Sequence, residues 1–413
     1  MEERCSSFFE IMSVSVMIFS KGAVVLKEIG DFAMTNKERL MATLCGKPVD
    51  KSPVNFYEIN GFDENPSDSD PFNIYSHPSW LPLIELTREK TDRIVMRSIN
   101  NTRRESVELR ELKTTISHIT KQGVRHTMTE IRAGDRLLKA QTKRYPDINT
   151  TWTVEHLLKS PDDLKAWLTL PDHEEISTLD YREFDYITEG LGDTGILMID
   201  VADALCQVAA LFSMEEYTIV ALTEQKLFHQ ALEKVQRGLL KHVEKVAKEY
   251  PGRLWRIVGP EYASPPYLPP YLYEEYVVKY DKPLVEAIQK HGGFARMHQH
   301  GNQRDILDMT MKTGCVALDP IEPPPQGDVS LAYVRERYGD QMVLFGNLEV
   351  SDIELLDSEA FGKKVWTALK EGTAGMGRGF VLMPSASPYG RVLSDRTLRN
   401  YYKMIEVYES FFS

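Results

Sequence analysis

The sequence predicts an α/β protein built as a closed (β/α)8 barrel, with an antiparallel β excursion in its N-terminal half. Beyond Gly192, short apolar runs of strand type alternate with longer amphipathic segments of helical type. This alternation is typical of a parallel sheet with right-handed crossovers. Adding the runs at Val54 and Val95 gives about eight strands, which favours a closed barrel over an open doubly wound sheet. No Gly-x-Gly-x-x-Gly pattern follows the first strand, so the fingerprint of a dinucleotide-binding fold is missing.

Residues 1–33 are expected to form a loosely attached leader outside the folded domain. The apolar run at residues 11–19 is too short to span a bilayer. The acidic start at residues 1–4 is unlike the basic start of a secretion signal. We therefore predict that the folded unit spans residues 34–413 and that the protein has no membrane anchor.

The first predicted helix and strand follow this leader. Thr35 or Asn36 can cap a helix, and Gly46 and Pro48 are suited to end it. Residues 54–57 are predicted to form the first strand. The stretch from 55 to 72 then holds five acidic residues and no basic one.

Residues 94–155 have a different sequence pattern and are predicted to form the antiparallel β excursion. Short alternating runs, such as residues 106–109 and 114–119, are typical of antiparallel strands joined by turns. The stretch has no linker and little apolar bulk of its own. We therefore interpret it as an insertion carried by the barrel rather than as a separate domain.

The C-terminal half supplies the remaining strands and helices. Strands are predicted at residues 195–200, 254–258, 294–298, 316–318, 342–345 and 380–383. Helices are predicted at residues 224–248, 272–290, 303–312, 329–338, 358–371 and 395–410.

Composition excludes some functional classes. The formal net charge is −12, and no Lys/Arg cluster is interleaved with aromatic residues, so a nucleic-acid-binding role is not expected. The four cysteines are scattered, without a Cys-x-x-Cys pair. That spacing suits a reducing compartment, and we expect a cytoplasmic protein.

Two histidines mark the most informative position in the sequence. His298 and His300 come at the end of an apolar strand and just before Gly301. Residues two apart in a strand point to the same face, so the two imidazoles are aimed together. The carboxyl ends of the strands are where barrel enzymes carry their chemistry, and neutral imidazole is the commonest protein metal ligand. A pair of hydrogen-bonded loop histidines would explain the same pattern without any chemistry.

The neighbouring strand ends add further candidates for catalysis. Glu261 and Tyr262 follow the strand at residues 254–258, Glu322 follows the next strand beyond the histidines, and Asn347 follows the one after that. Three prolines after Glu322 stiffen the chain and fix the direction of its neighbour. Capping of the next helix would also explain Glu261, and a helix start explains part of the loop after Glu322.

These side chains admit two kinds of chemistry. A catalytic zinc site commonly has three protein ligands and one open position. His298, His300 and Glu322 would satisfy that count, with Glu261 as the alternative carboxylate. The open position would activate a thiol, water or substrate oxygen by lowering its pKa. The alternative is metal-free: a carboxylate acts as general acid or base, and the histidines donate hydrogen bonds.

At these positions the chain resembles the uroporphyrinogen decarboxylase superfamily, which also includes zinc-dependent methyltransferases. The resemblance runs from about Thr35 to the end and implies a (β/α)8 TIM barrel. The residues that carry it are Glu38-Arg39-Leu40, residues 46–53, Gly259-Pro260-Glu261-Tyr262, residues 298–302, Gly346-Asn347 and residues 379–385. Because activity varies within such a superfamily, it must be argued from the site.

The decarboxylase branch resembles the chain less well. Its members act on a porphyrinogen with eight carboxylates and carry an Arg-rich signature after the first strand. Here that place is taken by the acidic stretch at residues 55–72. Like charges about 4 Å apart repel by roughly 4 kcal/mol at an effective dielectric constant near 20, which is unfavourable for a polyanionic substrate.

The methyltransferase branch is more similar, with one departure. Its members carry His-x-Cys at the corresponding strand end, where His298 matches the histidine and His300 replaces the cysteine. Their later ligand cysteine would fall near residues 384–386, where this chain has none. Histidine and carboxylate ligands still suit zinc.

The resemblance thus implies a zinc-dependent methyltransferase or demethylase that exchanges methyl groups with a corrinoid or a thiol. A small-molecule substrate, a corrinoid protein as partner and a homodimeric assembly are implied by the same resemblance. Two alternatives stay open: a metal-free decarboxylase of uroporphyrinogen or another carboxylate, and a barrel retained only for binding.

Overall fold

The computed structural model describes residues 33–99, 103–175 and 178–413. The predicted leader, apart from residue 33, lies outside the described residues.

The strands fall into three sheets. Those of the described residues are β1 (Arg93–Ser98), β2 (Arg103–Arg104), β3 (Lys113–Ile119), β4 (Arg125–Ala133), β5 (Arg136–Arg144), β6 (Thr151–Glu155), β7 (Glu174–Glu175), β8 (Gly195–Ala202), β9 (Leu254–Val258), β10 (Phe294–Gln299), β11 (Ala317–Pro320), β12 (Val343–Leu348) and β13 (Phe380–Pro384).

The largest sheet has seven parallel strands in the order β1-β8-β9-β10-β11-β12-β13. Neighbours in this sheet are therefore neighbours in the chain once the two small antiparallel sheets are set aside. The predicted α/β class and the strand–helix alternation of the C-terminal half are confirmed. All carboxyl ends of these strands lie at the same edge, as in any parallel sheet.

The segment around Val54 hydrogen-bonds to both edge strands of this sheet. Val54 forms a parallel bridge with Leu382 of β13, and its carbonyl accepts a hydrogen bond of 2.7 Å from the backbone N–H of Asp92. Asp92 directly precedes β1. The strand predicted at residues 54–57 is thus a single bridge residue.

Helices separate the parallel strands. Among the described residues they are α1 (Asn36–Leu44), α2 (Leu81–Lys90), α3 (Val107–Leu112), α4 (Pro161–Leu168), α5 (Arg182–Leu191), α6 (Ala204–Ala209), α7 (Met214–Thr223), α8 (Gln225–Glu249), α9 (Pro270–Tyr273), α10 (Lys279–Lys290), α11 (Leu307–Lys312), α12 (Leu331–Tyr338), α13 (Val350–Leu355), α14 (Ser358–Gly372) and α15 (Asp395–Phe412). A π-helical turn, Glu274–Val278, joins α9 to α10.

Two apolar clusters hold these layers together. The larger one lies between the sheet and the helices. The smaller one lies on the other face of the sheet and includes Phe294, Val343 and Phe345, together with Leu40 and Leu44 of α1. Helix α1 starts with a capping box in which Thr35 and Glu38 satisfy each other's backbone N–H groups.

The antiparallel excursion forms a separate four-stranded sheet in the order β3-β4-β5-β6. Its strands occupy residues 113–155, inside the stretch predicted at 94–155, whose first residues belong instead to β1. The strand predicted at residues 106–109 is wrong. The side chain of Ser106 accepts a hydrogen bond from the backbone N–H of Leu109 and starts α3, because a serine cap satisfies a helix terminus.

Cys206 and Cys315 carry free thiols. No helix in the described part of the chain is long and apolar enough to cross a bilayer.

The guanidinium of Arg39 ties the first helix to the sheet. Its Nε and Nη2 donate to the two carboxylate oxygens of Asp50 at 2.7 and 2.8 Å, and its Nη1 donates to Asp92 at 2.6 Å. The second oxygen of Asp92 accepts from the backbone N–H of Val54 at 2.8 Å. Arg39 and Asp92 are both buried, so the pair is shielded from water.

We predict that Arg39→Met lowers the free energy of unfolding by about 3 to 5 kcal/mol, because it leaves the Asp92 carboxylate buried without its cation. Urea denaturation measures the change. Lys90→Met is the control, because it breaks the exposed Lys90–Glu409 pair and should cost less than about 1 kcal/mol. Equal losses in the two variants would contradict this prediction.

Candidate functional site

Strand β10 and the residue that follows it present three polar side chains in one direction. Arg296, His298 and His300 follow Phe294 at intervals of two, so all four share a face of the sheet. The rings of His298 and His300 lie 4.7 Å apart, centroid to centroid, and are nearly perpendicular at 85°. His298 is buried, whereas 37% of the His300 side chain is exposed.

Each imidazole is bound by its own carboxylate. The Nδ1 of His298 lies 2.8 Å from Oδ2 of Asp319, which is its partner in the register of β10 and β11. The Nδ1 of His300 lies 2.8 Å from Oε1 of Glu322, and the other oxygen of Glu322 accepts from the backbone N–H of Gly301 at 2.8 Å. An imidazole that donates its Nδ1–H in this way keeps a lone pair on Nε2, which can bind a metal or a proton.

A strained turn separates the two carboxylates. Asp319 lies near the end of β11, and Ile321 follows with φ of 53°. A β-branched residue is rarely found in this left-handed region. The register of β10 and β11 places Asp319 against His298, and Glu322 follows the turn and contacts His300.

Asp319 also binds an arginine. Nε of Arg296 lies 3.0 Å from Oδ1 of Asp319, and both side chains are almost completely buried. Burial alone would raise the pKa of Asp319, but the Arg296 guanidinium and His298 hold it at about 2. Asp319 is therefore an anion at neutral pH, and His298 has a permanent acceptor for its Nδ1–H.

The pair of His300 and Glu322 shows the same balance between burial and ion pairing, but it is more exposed to solvent. Burial would lower the pKa of His300, yet the hydrogen bond to Glu322 raises it above its ordinary value. The pKa of Glu322 is lowered because His300 outweighs the effect of burial. Each member of this pair thus favours the charged form of the other.

A cavity of about 210 Å³ is lined by Arg296, the ion-pair partner of Asp319, and by Tyr57, while neither histidine is among its lining residues. Arg256 and Arg296 line it, and Nε of Arg256 donates to Asp200 at 2.6 Å while Nη1 donates to the hydroxyl of Tyr57 at 2.6 Å. The ring of Tyr57 stacks on that of His298, with centroids 6.0 Å apart. Ile94, Met96, Met198 and Met383 form an apolar part of the wall, and Asn55, Glu58, Asn60 and Asp63 form a polar part.

Three other predicted residues are placed differently. Oε2 of Glu261 accepts from the backbone N–H of Gly259 at 3.0 Å. Tyr262 packs edge-on against Tyr217, and burial raises its pKa to about 12. Asn347 lies in β12 and pairs with Met383 of β13. Within the part of the chain that the structure describes, none of the three side chains is recorded in contact with either imidazole.

The predicted metal ligands meet, but not as a three-ligand cage. His298, His300 and Glu322 are adjacent, and the carboxylate of Glu322 is turned to His300 and Gly301. Across residues 33–99, 103–175 and 178–413, no group of three or more His, Cys, Asp or Glu side chains is arranged to hold a metal ion.

Sequence reasoning missed a buried acid, Glu349, which follows β12. Oε2 of Glu349 accepts from the hydroxyl of Ser385 at 3.2 Å, while Oε1 is buried with no hydrogen-bond partner among the described residues. Burial and the negative charge of Glu322 raise the pKa of Glu349 to about 7.

Sequence reasoning also gave no role to Asp319, Arg256 and Arg296. For the two arginines, the strand pattern did indicate buried cations that need a partner. Arg256 and Arg296 occur inside apolar strands, where an unpaired cation is rarely buried. The register of the sheet was needed to show which carboxylates they meet.

Comparisons with known proteins agree on the family and the fold. A sequence model described as uroporphyrinogen decarboxylase (URO-D) matches residues 199–407, about half of the chain. No curated protein matches the sequence. A solved methyltransferase from Methanosarcina mazei is similar in structure with a TM-score of 0.57 and 15% identity, covering 92% of this chain and 100% of its own.

A second solved structure, D-psicose 3-epimerase from Clostridium cellulolyticum H10, has a TM-score of 0.31 and 9% identity. It covers 57% of this chain and 95% of its own.

The raised pKa of Glu349 predicts a pH dependence of stability. A carboxyl group whose pKa is raised on folding binds its proton more tightly in the folded state, so the stability it contributes is complete at low pH. That contribution is lost as the pH rises from the ordinary value of 4.5 through about 7. We predict that Glu349→Gln removes this loss and is more stable than the wild type at pH 8 by about 1 to 3 kcal/mol, relative to the difference at pH 4.

Denaturant unfolding at a series of pH values measures this difference. Glu359→Gln is the control, because Glu359 is an exposed acid at the start of α14 and its loss removes the same charge. Parallel stability curves for the wild type and Glu349→Gln would contradict the prediction.

Proposed function

This chain belongs to the uroporphyrinogen decarboxylase family, and we propose that within it the protein is a methyl-transfer enzyme. It would exchange a methyl group between a small substrate and a thiol or corrinoid acceptor. The observation that carries the proposal is the pair of carboxylate–imidazole contacts, His298–Asp319 and His300–Glu322. These contacts fix two neighbouring rings at the carboxyl ends of β10 and β11, where barrel enzymes carry their chemistry.

The fold supports this proposal. The described sheet has seven parallel strands. Val54 forms a parallel bridge with Leu382 at one edge of it, and its carbonyl accepts a hydrogen bond from Asp92, which precedes β1, at the other edge. We propose that Val54 represents the eighth strand of a (β/α)8 barrel, which would give the site a complete wall. The structurally similar protein from Methanosarcina mazei is described as a methyltransferase.

The donor set of the two histidines suits zinc. Metal-binding histidines usually donate their other ring N–H to a carboxylate, and Asp319 and Glu322 supply that partner here. His298 and His300 would hold the ion, and Glu322 or Glu261 would be the third protein ligand. When bound, zinc would lower the pKa of a thiol, water or substrate oxygen.

The residues of the chain have separate tasks in this mechanism. Asp319 and Glu322 keep the Nδ1 protons in place and orient the rings. The guanidinium of Arg256 and the hydroxyl of Tyr57 would bind a polar group of the substrate in the adjoining cavity. Met198 and Met383 line the same cavity and would exclude water from the reacting atoms.

A corrinoid acceptor would reach this site on a partner protein. The cavity of about 210 Å³ is smaller than the pockets of about 300 to 1,000 Å³ that hold drug-sized ligands, and a corrinoid is larger still. Only the reacting face of the corrinoid would therefore meet the site.

A metal-free reaction on a carboxylate substrate is the second candidate. Arg256 and Arg296 line the cavity, and arginine is well suited to bind a carboxylate. Glu349 could then exchange the proton, since its pKa of about 7 matches the value that a general acid or base needs near neutral pH.

We predict that the purified protein binds about one zinc ion per chain and that His298→Ala with His300→Ala abolishes binding. Asp319→Asn should weaken zinc binding by about 10- to 100-fold, because it removes the partner that orients His298. Metal content after equilibration with zinc, together with methyl transfer from methylcobalamin to a thiol, measures both effects.

His118→Ala is the control, since His118 lies on the antiparallel sheet and pairs only with His126 across the strands. Zinc content and methyl transfer that are unchanged in the double variant would contradict the proposal. Release of carbon dioxide from uroporphyrinogen by metal-free protein would favour the second candidate instead.

A further inference from the structure

A second cavity lies between the antiparallel sheet and the acidic segment that follows Val54. It has a volume of about 510 Å³. One wall is formed by side chains of β4, β5 and β6, and the other by residues of the stretch 63–75. The two walls carry opposite charges.

The sheet wall carries two arginines that face each other across strands. Arg125 of β4 and Arg144 of β5 are direct partners in the antiparallel register, an arrangement in which like charges destabilise the sheet. Burial and the charge of Arg125 lower the pKa of Arg144. The charged form of Arg144 is therefore less favourable in this position than in water.

Neither arginine has a carboxylate in contact with it, although the charge of Asp70 on the opposite wall acts to raise the pKa of Arg144. Arg144 donates to the carbonyl of Phe72 at 3.2 Å and to the side chain of Asn149, and the guanidinium of Arg125 lies 3.9 Å from the ring centroid of Phe72. Among the residues that the structure describes, neither guanidinium has an acidic group within 4.0 Å. Two cations thus line one wall without an anion.

Hydroxyl groups surround these cations on the same sheet face. Thr151 of β6 is the register partner of Arg144, and Thr127 and Thr142 form the adjacent pair. All three line the cavity. Arginine with neighbouring hydroxyl donors is suited to a carboxylate or another oxyanion.

The opposite wall carries acids that also lack an ion-pair partner. Asp68 and Asp70 line the cavity, and each uses Oδ1 to accept a backbone N–H of its own loop. Neither forms a salt bridge within the described part of the chain. Asp63 lines the cavity too, but its charge is balanced by Arg97.

We propose that this cleft binds a small zwitterion, with its carboxylate on Arg125 and Arg144 and its ammonium group on Asp68 and Asp70. A simple anion would be attracted by the arginines and repelled by the acidic wall. A simple cation would be attracted by the acidic wall and repelled by the arginines. Only a ligand that carries both signs satisfies both walls.

The cleft adjoins the candidate functional site. Asp63 lines both this cleft and the cavity that Arg256 and Arg296 line, so the two cavities are neighbours. The zwitterion site does not depend on methyl transfer, because it is built from other residues.

Calorimetric titration of the full chain tests the proposal. The probes are glycine, 4-aminobutyrate and 6-aminohexanoate, which vary the spacing of the two charges, with hexanoate and hexylamine as the singly charged counterparts. We expect at least one zwitterion to bind, and both singly charged probes to bind at least about tenfold more weakly, equivalent to about 1.4 kcal/mol. Added salt should weaken the binding.

Variants identify the two walls. Arg144→Gln and the double change Asp68→Asn with Asp70→Asn should each weaken binding of the zwitterion by about tenfold or more. Arg125→Gln serves as a second test of the sheet wall if Arg144→Gln lowers the melting temperature without ligand. Lys143→Gln is the matched control, because Lys143 is the neighbour of Arg144 in β5 and lies on the opposite face of the sheet.

Three results would overturn the zwitterion site. The first is hexanoate or hexylamine binding as tightly as the best zwitterion. The second is a loss of binding in Lys143→Gln equal to that in Arg144→Gln. The third is no heat of binding from any of the three zwitterions at millimolar concentration.

Discussion

The candidate site depends on one fully buried carboxylate. Asp319 has no exposed surface, yet it remains ionised because Arg296 and His298 both contact it. Taking either charge out of water is costly, and the attraction of the opposite charge 3.0 Å away offsets part of that cost. The guanidinium of Arg296 would have no anion without Asp319, and the ring of His298 would have no acceptor to set its tautomer. One carboxylate therefore fixes both the charge balance and the orientation of the histidine.

The buried group of Asp319, Arg296 and His298 lies next to an apolar layer, because side chains on one face of a strand recur every two residues. Along β10 the inward side chains change from Phe294 to Arg296 and then to the two histidines. Neighbouring strands show the same change: Leu254 is followed by Arg256 in β9, and Met198 is followed by Asp200 in β8. The apolar residues pack against α1 and hold the strands, while the polar residues at the carboxyl ends are free to bind one another. The same strand alternation thus places both the apolar residues that stabilise the sheet and the polar residues of the candidate site.

The sequence allowed the parallel strands to be predicted well, since buried parallel strands are continuous apolar runs. It also indicated the His298 and His300 pair, because alternation alone places them on one face. Residues 106–109 were misassigned because the same four residues fit both a helix that starts with a serine cap and a short strand of alternating polar and apolar residues. Arg296, Asp319 and Glu349 were not assigned roles because strands buried on both faces do not reveal which face is inward. Their partners come from neighbouring strands and loops, and that information lies in the register rather than in any local pattern.

The two histidine–carboxylate pairs have different access to solvent, and this difference constrains any mechanism. His298 is sealed between Asp319 and the ring of Tyr57, so its environment changes little when a ligand arrives. His300 keeps more than a third of its side chain exposed, and its partner Glu322 is also bound to the backbone of Gly301. His300 is therefore the more accessible of the two imidazoles. The orientation of His298 is instead set by the buried carboxylate of Asp319.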